Sequence, residues 1–215
     1  MDLKGCIFDL DGVIVDTAKY HFLAWQRLAS EMGFVFEEHD NEALKGVSRM
    51  ASLEILLKKG DIKKSAEEKI ELATRKNNWY IEYISHMTPE EILPGSLELI
   101  KKFRSEGIMT AIGSASRNAG MILDRIQLAS YFDVIIDGNK IHSAKPDPEV
   151  FLKGAEEMGL APEKCLVFED AQAGIEAALA AGMKCVGVGN PVILSKAHMV
   201  IPDLGRITIE QLRNL

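Results

Sequence analysis

The stretch Gly5-Cys6-Ile7-Phe8-Asp9-Leu10-Asp11-Gly12-Val13-Ile14-Val15-Asp16 decides how the rest of the chain is read. An apolar run stops at two carboxylates spaced i, i+2, and a glycine follows at once. Cys6-Ile7-Phe8 has the character of a buried strand. Burying a bare carboxylate costs several kcal/mol or more unless a cation or hydrogen bonds compensate. Either Asp9 and Asp11 are solvated loop acids, or they help to build a charged site at the end of that strand.

Working outward, further short apolar runs read as buried parallel strands: Ile108–Ile112, Cys165–Phe168, Cys185–Val188 and, more weakly, Val134–Ile136. Helical patterns fall between them. Ser96–Ser105 carries Leu97, Leu99, Ile100 and Phe103 and is closed by Gly107, and Asn118–Ile126 follows. Pro148–Met158 ends at Gly159, and the Ala-rich Ala171–Ala181 ends at Gly182. The alternation predicts a doubly wound, Rossmann-like α/β core with a parallel sheet. Such sheets place their sites at the carboxyl ends of the strands. The lone Gly187-Val188-Gly189-Asn190 lacks a third glycine and reads as a loop after an edge strand, not as a dinucleotide site.

One segment breaks the alternation. From residue 16 to residue 91 the pattern is helical throughout. Ala18–Met32 is amphipathic, Ser48–Lys59 is a second helix, and Ser65-Ala66-Glu67-Glu68 is a capping-box start for a helix running toward Ser85. Thr88-Pro89 and Leu93-Pro94-Gly95 punctuate the return. The expected organisation is a core domain of residues 1–15 and 92–215 with an all-helical cap domain, 16–91, inserted after the first strand.

The totals narrow the class. A chain of 215 residues suits one domain carrying a smaller insert. The net charge of −7, with no basic block, argues against nucleic acid or an anionic membrane as partner. An anionic substrate would then be held by local cations or a metal. Cys6, Cys165 and Cys185 are odd in number, far apart and embedded in apolar runs, so they read as reduced core cysteines. Met1-Asp2-Leu3-Lys4 is no signal-peptide start, and no apolar run approaches the ~20 residues of a membrane helix. A cytoplasmic protein is expected, and a monomer is the plain default.

The strand ends collect a distinctive set of side chains. The first run delivers Asp9 and Asp11, the second Ser114 with Ala115 and Ser116, and the Cys165 run Glu169 and Asp170. Lys145 stands before Pro146-Asp147-Pro148 at the start of a helix. Phosphoryl transfer asks for such a set. Mg²⁺ wants oxygen ligands, often one or two carboxylates plus phosphate and water. One carboxylate can act as nucleophile, and a second can move the proton of the attacking or leaving hydroxyl. A lysine and a hydroxyl can offset charge on the transferring group.

Phe8-Asp9-Leu10-Asp11-Gly12-Val13, Ser114, Lys145 and Glu169-Asp170 resemble, in order, the four motifs of the haloacid dehalogenase superfamily of phosphotransferases. The insert is similar to that of the superfamily's hexose-phosphate mutases. This likeness is carried by Asp16 to Trp25, by Leu44-Lys45-Gly46-Val47-Ser48-Arg49, by Arg75-Lys76-Asn77 and by Ser114-Ala115-Ser116-Arg117-Asn118. One departure is Arg117, where the superfamily often has lysine; the cation is kept, and arginine can grip phosphate bidentately.

The resemblance implies roles. Asp9 is the nucleophile, and Asp11 is the general acid/base. Mg²⁺ is held by Asp9, the Asp11 carbonyl, Glu169 and Asp170. Ser114 and Lys145 attend the transferring group. Ala115, Ser116, Arg117 and Asn118 form a phosphate loop. Thr17, His21, Trp25, Lys45, Gly46, Val47, Ser48, Arg49, Ser52 and Lys76 line a sugar pocket, with Arg49 gripping the phosphate not being transferred. The bland readings stay open beside these. Glu169 and Asp170 could cap the next helix, His21 and Trp25 could be packing residues, and Arg49 could be a surface arginine. The implied activity is interconversion of β-glucose 1-phosphate and glucose 6-phosphate through a phospho-Asp9 enzyme and a bisphosphate, under a closing helical lid. A phosphatase using the same nucleophile with water as acceptor is the alternative. A silent phosphate-binding module is a third reading, disfavoured by the intact acids and lysine.

Overall fold

The computed structural model describes residues 1–44 and 48–215. They form two compact units, Met1–Asp16 with Thr88–Leu215, and Thr17–Met87. In chain order, β1 (Gly5–Phe8) is followed by α1 (Ala18–Glu31), α2 (Glu38–Asn41), α3 (Arg49–Lys59) and α4 (Ala66–Ile84). Next come α5 (Ser96–Ser105), β2 (Met109–Gly113), α6 (Ala119–Arg125), β3 (Val134–Ile136) and α7 (Glu149–Glu157). The chain closes with β4 (Cys165–Glu169), α8 (Gln172–Ala180), β5 (Lys184–Val188), β6 (Met199–Ile201) and α9 (Ile209–Arg213).

The first unit is a parallel sheet in the order β3-β2-β1-β4-β5-β6. Residues of β1 alternate between two buried faces, as strands covered on both sides must. Phe8 stacks on Phe168 of β4 with ring centroids 4.8 Å apart and meets Phe103 of α5 on the same face. Ile7 faces the other way, into a core that includes Ala111, Val167, Phe151 of α7 and Ile175 of α8. Helices therefore cover both faces, and the fold is the doubly wound one expected. Its strand order reverses beside β1, which is where such sheets open a crevice at their carboxyl ends.

The structure corrects one edge. β6 lies outside β5, so Gly187-Val188-Gly189 leaves an inner strand, not an edge strand. With only three residues, Met199–Ile201 is too short to show a period of its own. Cys6, Cys165 and Cys185 are free and buried, as read.

The segments leaving and re-entering this unit run side by side. Val15 and Ile92 form an antiparallel bridge, the Leu93 amide donates to the Ile14 carbonyl at 2.8 Å, and the buried Ser96 hydroxyl donates to the Val13 carbonyl at 3.2 Å.

The second unit is helical. Its core gathers Trp25, Leu28 and Ala29 from α1, Leu53, Leu56 and Leu57 from α3, and Leu72 and Ala73 from α4, the i, i+3, i+4 spacing of amphipathic helices. The Ser65 capping box forms in full: the Glu68 amide donates to Ser65 Oγ at 3.2 Å, and the Ser65 amide donates to Glu68 at 2.8 Å. Ser48 caps α3, its Oγ accepting from the Ala51 amide at 3.3 Å. Among the described residues, no helix is long and apolar enough to cross a membrane.

Candidate active site

Asp9 follows β1 directly, its amide donating to the Phe168 carbonyl at 2.9 Å. That bond extends the β1–β4 ladder by one step and sets Asp9 beside Glu169, the last residue of β4. Lys145 joins them from the loop before α7, with Nζ 2.5 Å from Asp9 Oδ1 and 2.8 Å from Glu169 Oε2. Its peptide bond to Pro146 is cis. Glu169 is 1% exposed, and its other oxygen accepts from the Asp170 and Ala171 amides at 3.2 and 3.0 Å. Predicted to lie beyond the strand, Glu169 is instead its last residue. The capping reading is not realised: no side chain caps α8 at Ala171, and the Glu169 bonds go to the Asp170 and Ala171 amides ahead of the helix.

Burial is the largest influence on Lys145 and opposes its charge. The carboxylates of Asp9 and then Glu169 outweigh it and hold the ammonium above the ordinary lysine range. Asp170 is pushed up to about 9, first by burial and then by the charges of Glu169, Asp9 and Asp11. Glu169 is raised as well, by burial first. Carboxyl oxygens of Asp9, Glu169 and Asp170 lie within 4.8 Å of one another. Three carboxylates facing one ammonium leave negative charge uncompensated, and hard oxygen donors at this spacing fit a divalent cation. Asp11 sits on the turn between Leu10 and Val15, which is closed by the Gly12 amide donating to the Val15 carbonyl at 2.6 Å. Gly12 has φ +91°, and a Cβ there would run into the carboxylate of Asp170, so the turn needs glycine on both counts.

Ser114 stands at the end of β2, 1% exposed, and its amide donates to the Ile136 carbonyl at 3.0 Å. Its Oγ accepts from the Ser116 amide at 3.1 Å, and Ser116 Oγ accepts from the Asn118 amide at 3.2 Å. These bonds fold the loop tightly and leave Ala115 and Arg117 exposed. Two residues missed from the sequence brace this edge. Asn139 donates from its side chain to the Arg117 carbonyl at 3.0 Å. Glu149 accepts from the His142 and Ser143 amides at 2.9 and 2.7 Å, anchoring the loop that carries Lys145. The Lys153 ammonium and then the Ser143 amide lower the Glu149 carboxyl to about 2. The acid directly after Lys-Pro-Asp-Pro, at the first turn of a helix, was the available signal.

In the helical unit, His21 and Trp25 share one face of α1, and Lys76 and Tyr80 share one face of α4, each pair at i, i+4. Lys76 is 2% exposed, with Nζ 2.7 Å from His21 Nδ1 and over the rings of Trp25 and Tyr80 at 4.5 and 5.0 Å. His21 stacks on Tyr80, centroids 4.0 Å apart. Burial and then Arg49 lower Lys76 to about 7. Burial, Lys76 and Arg49 hold His21 well below its usual value, so its neutral ring accepts from Lys76. Trp25 belongs to the unit's hydrophobic core and also presents its ring to the Lys76 ammonium. Thr17 and Ser52 are buried, Ser48 and Arg49 are exposed, and Lys45, Gly46 and Val47 lie outside the described residues. Tyr80 was missed because a tyrosine at helical spacing reads as core.

Comparison with known proteins places this geometry. A model of haloacid dehalogenase-like hydrolases matches residues 6–188. The chain is 43% identical over 212 residues to β-phosphoglucomutase of Bacillus subtilis, covering 98% of this chain and 94% of that one. It is 31% identical over 217 residues to a phosphorylated carbohydrates phosphatase of Thermotoga maritima, covering 99% and 98%. The crystal structure of β-phosphoglucomutase from Clostridium difficile superposes with a TM-score of 0.91 at 41% identity, covering 99% of this chain and 96% of that one. With the match running from β1 through β5 and across every strand-end acid described above, the chain belongs to the haloacid dehalogenase-like hydrolase family.

Proposed function

We propose that the protein is a Mg²⁺-dependent phosphomutase interconverting β-glucose 1-phosphate and glucose 6-phosphate. The observation that carries the reading is Asp9, held at a strand end by Lys145 and flanked by Glu169 and Asp170. The similarity to a β-phosphoglucomutase over nearly the whole chain supports the sugar chemistry.

Starting from the phospho-Asp9 enzyme, Asp11 removes the proton of the free sugar hydroxyl of β-glucose 1-phosphate, whose oxygen attacks the phosphorus on Asp9 and frees the carboxylate. The second half reverses the roles. After the bisphosphate has turned over in the site, Asp9 attacks the phosphorus of its other phosphate, re-forming the aspartyl phosphate and releasing the sugar oxygen, which takes the proton held by Asp11. Between the halves the substrate is β-glucose 1,6-bisphosphate. Lys145 keeps Asp9 oriented and offsets charge on the phosphoryl oxygens, and the Ser114 hydroxyl donates to one of them. Asp9, Glu169, Asp170 and the Asp11 carbonyl would hold Mg²⁺, which when bound would supply further neutralisation of the transferring group. Ala115, Ser116, Arg117 and Asn118 bind phosphate. In the helical unit, Arg49 binds the phosphate that is not transferred. Thr17, His21, Ser48, Ser52 and Lys76, with Lys45, Gly46 and Val47, bind the sugar. A cytoplasmic monomer with a small phosphosugar substrate completes the proposal.

The second reading, a sugar-phosphate phosphatase with water as acceptor, draws on the 31% identical phosphatase relative. Phosphorus-31 NMR separates the two. With Mg²⁺, β-glucose 1-phosphate and a trace of bisphosphate, the mutase yields glucose 6-phosphate without accumulating inorganic phosphate. Free phosphate as the main product would establish the phosphatase.

A further inference from the structure

α8 reads Gln-Ala-Gly-Ile-Glu-Ala-Ala-Leu-Ala, and in so alanine-rich a helix the buried Gly174 is out of character. Glycine in a helix is disfavoured relative to alanine because it gives up more backbone freedom. Its φ is ordinary, so no turn demands it. What a side chain there would meet is specific. A Cβ on Gly174 would lie 2.5 Å from Cγ of Glu169 and closer still to its carboxylate, and these are its three nearest neighbours. Glu169 folds back at this point, with one oxygen on the Asp170 and Ala171 amides and the other on Lys145. Glu169 is 1% exposed, so these protein partners stand in for the water its carboxylate gives up.

We propose that Gly174 is a positioning residue: its missing side chain is the slot in which the Glu169 carboxylate lies, and through Glu169 it sets Lys145 against Asp9. The consequence for the cation rests on the reading of Glu169 as one of its ligands. A methyl at 174 drives the carboxylate off Lys145 and off the amides together, because both sets of bonds use the same folded-back rotamer.

The test is a double-mutant cycle of Gly174→Ala against Glu169→Ala, with thermal unfolding, calorimetric titration of Mg²⁺ alone, and the rate of Asp9 phosphorylation as readouts. In the native background, Gly174→Ala lowers Mg²⁺ affinity and phosphorylation rate by about tenfold or more, the size seen when outer groups that orient ligands are changed. In the Glu169→Ala background the same methyl faces no carboxylate and raises the melting temperature, the usual sign for glycine to alanine in a helix. Native Mg²⁺ affinity and phosphorylation rate in Gly174→Ala would overturn the proposal. So would an equal shift in melting temperature in both backgrounds, a measurement that remains readable if activity is lost. Native Mg²⁺ affinity in Glu169→Ala, with the coupling in melting temperature intact, would remove Glu169 from the cation site and leave the slot standing.

Discussion

Two buried lysines, one in each unit, meet opposite fates. Lys145 is raised above the ordinary lysine range, and Lys76 is lowered to about 7. Burial works against the charge in both. The difference lies in the neighbours. Lys145 sits between two carboxylates, whereas Lys76 has an imidazole, two aromatic faces and the charge of Arg49. The α/β unit spends its lysine on balancing its own acids. In the helical unit, an imidazole and two aromatic rings stand against the Lys76 ammonium where Lys145 has carboxylates, a setting that suits an anion arriving from outside.

The comparison breaks most sharply at Asp9. Asp9→Asn removes the proposed nucleophile and one partner of Lys145, and the mutase rate falls by about 10⁴-fold or more. No phosphoenzyme forms, as intact-protein mass spectrometry after incubation with the bisphosphate will report. Lys145→Met comes next, with a loss of roughly 10² to 10³ in turnover, as for removal of one group that stabilises transition-state charge. Lys145 also marks stability. Its folded pKa is raised, so its contribution is complete below the unfolded lysine value of about 10.4 and is lost as pH rises beyond it. Urea titrations of the metal-free protein at alkaline pH will show that decline, and Lys145→Met will not.

Lys76→Met is the mildest change and sharpens the contrast by its sign. A depressed lysine pKa means that the unfolded chain binds more protons between pH of about 7 and 10.4, so native stability rises with pH across that window, by about 1.4 kcal/mol per pH unit at most. Lys76→Met loses that slope, and stability near neutrality stays level or increases, since an isosteric apolar group replaces a poorly compensated one. Affinity for the phosphosugar falls by about tenfold all the same. A variant destabilised near neutrality would show that the Lys76 charge is well compensated in the folded protein.

Much of this contrast was visible in the chain before folding. Four apolar runs ending in acids, a hydroxyl or a glycine loop located the sheet, and Asp9, Asp11, Ser114, Lys145, Glu169 and Asp170 marked its carboxyl edge, because strand ends and charge are both local signals. Glu149 and Asn139 escaped, since a side chain that binds loop amides is recognisable only once the loop has its shape. Gly174 escaped for a related reason: the space it leaves belongs to a residue five positions earlier that folds back on it. β6 was too short to carry a pattern. Trp25 read equally well as packing or as pocket, and it packs in the helical core while facing the Lys76 ammonium, an arrangement compatible with both.

The antiparallel bridge between Val15 and Ile92 has a topological meaning. The chain leaves the sheet and returns through one doorway, with the two posts a single strand spacing, about 5 Å, apart. Seen from the parallel sheet, the whole excursion is a loop of nearly zero span. Its length and content can be exchanged in evolution or by engineering without shifting the register of any strand. A scaffold with its chemistry on one edge and such a doorway beside it can acquire new substrates by trading inserts while its own strands stay unchanged.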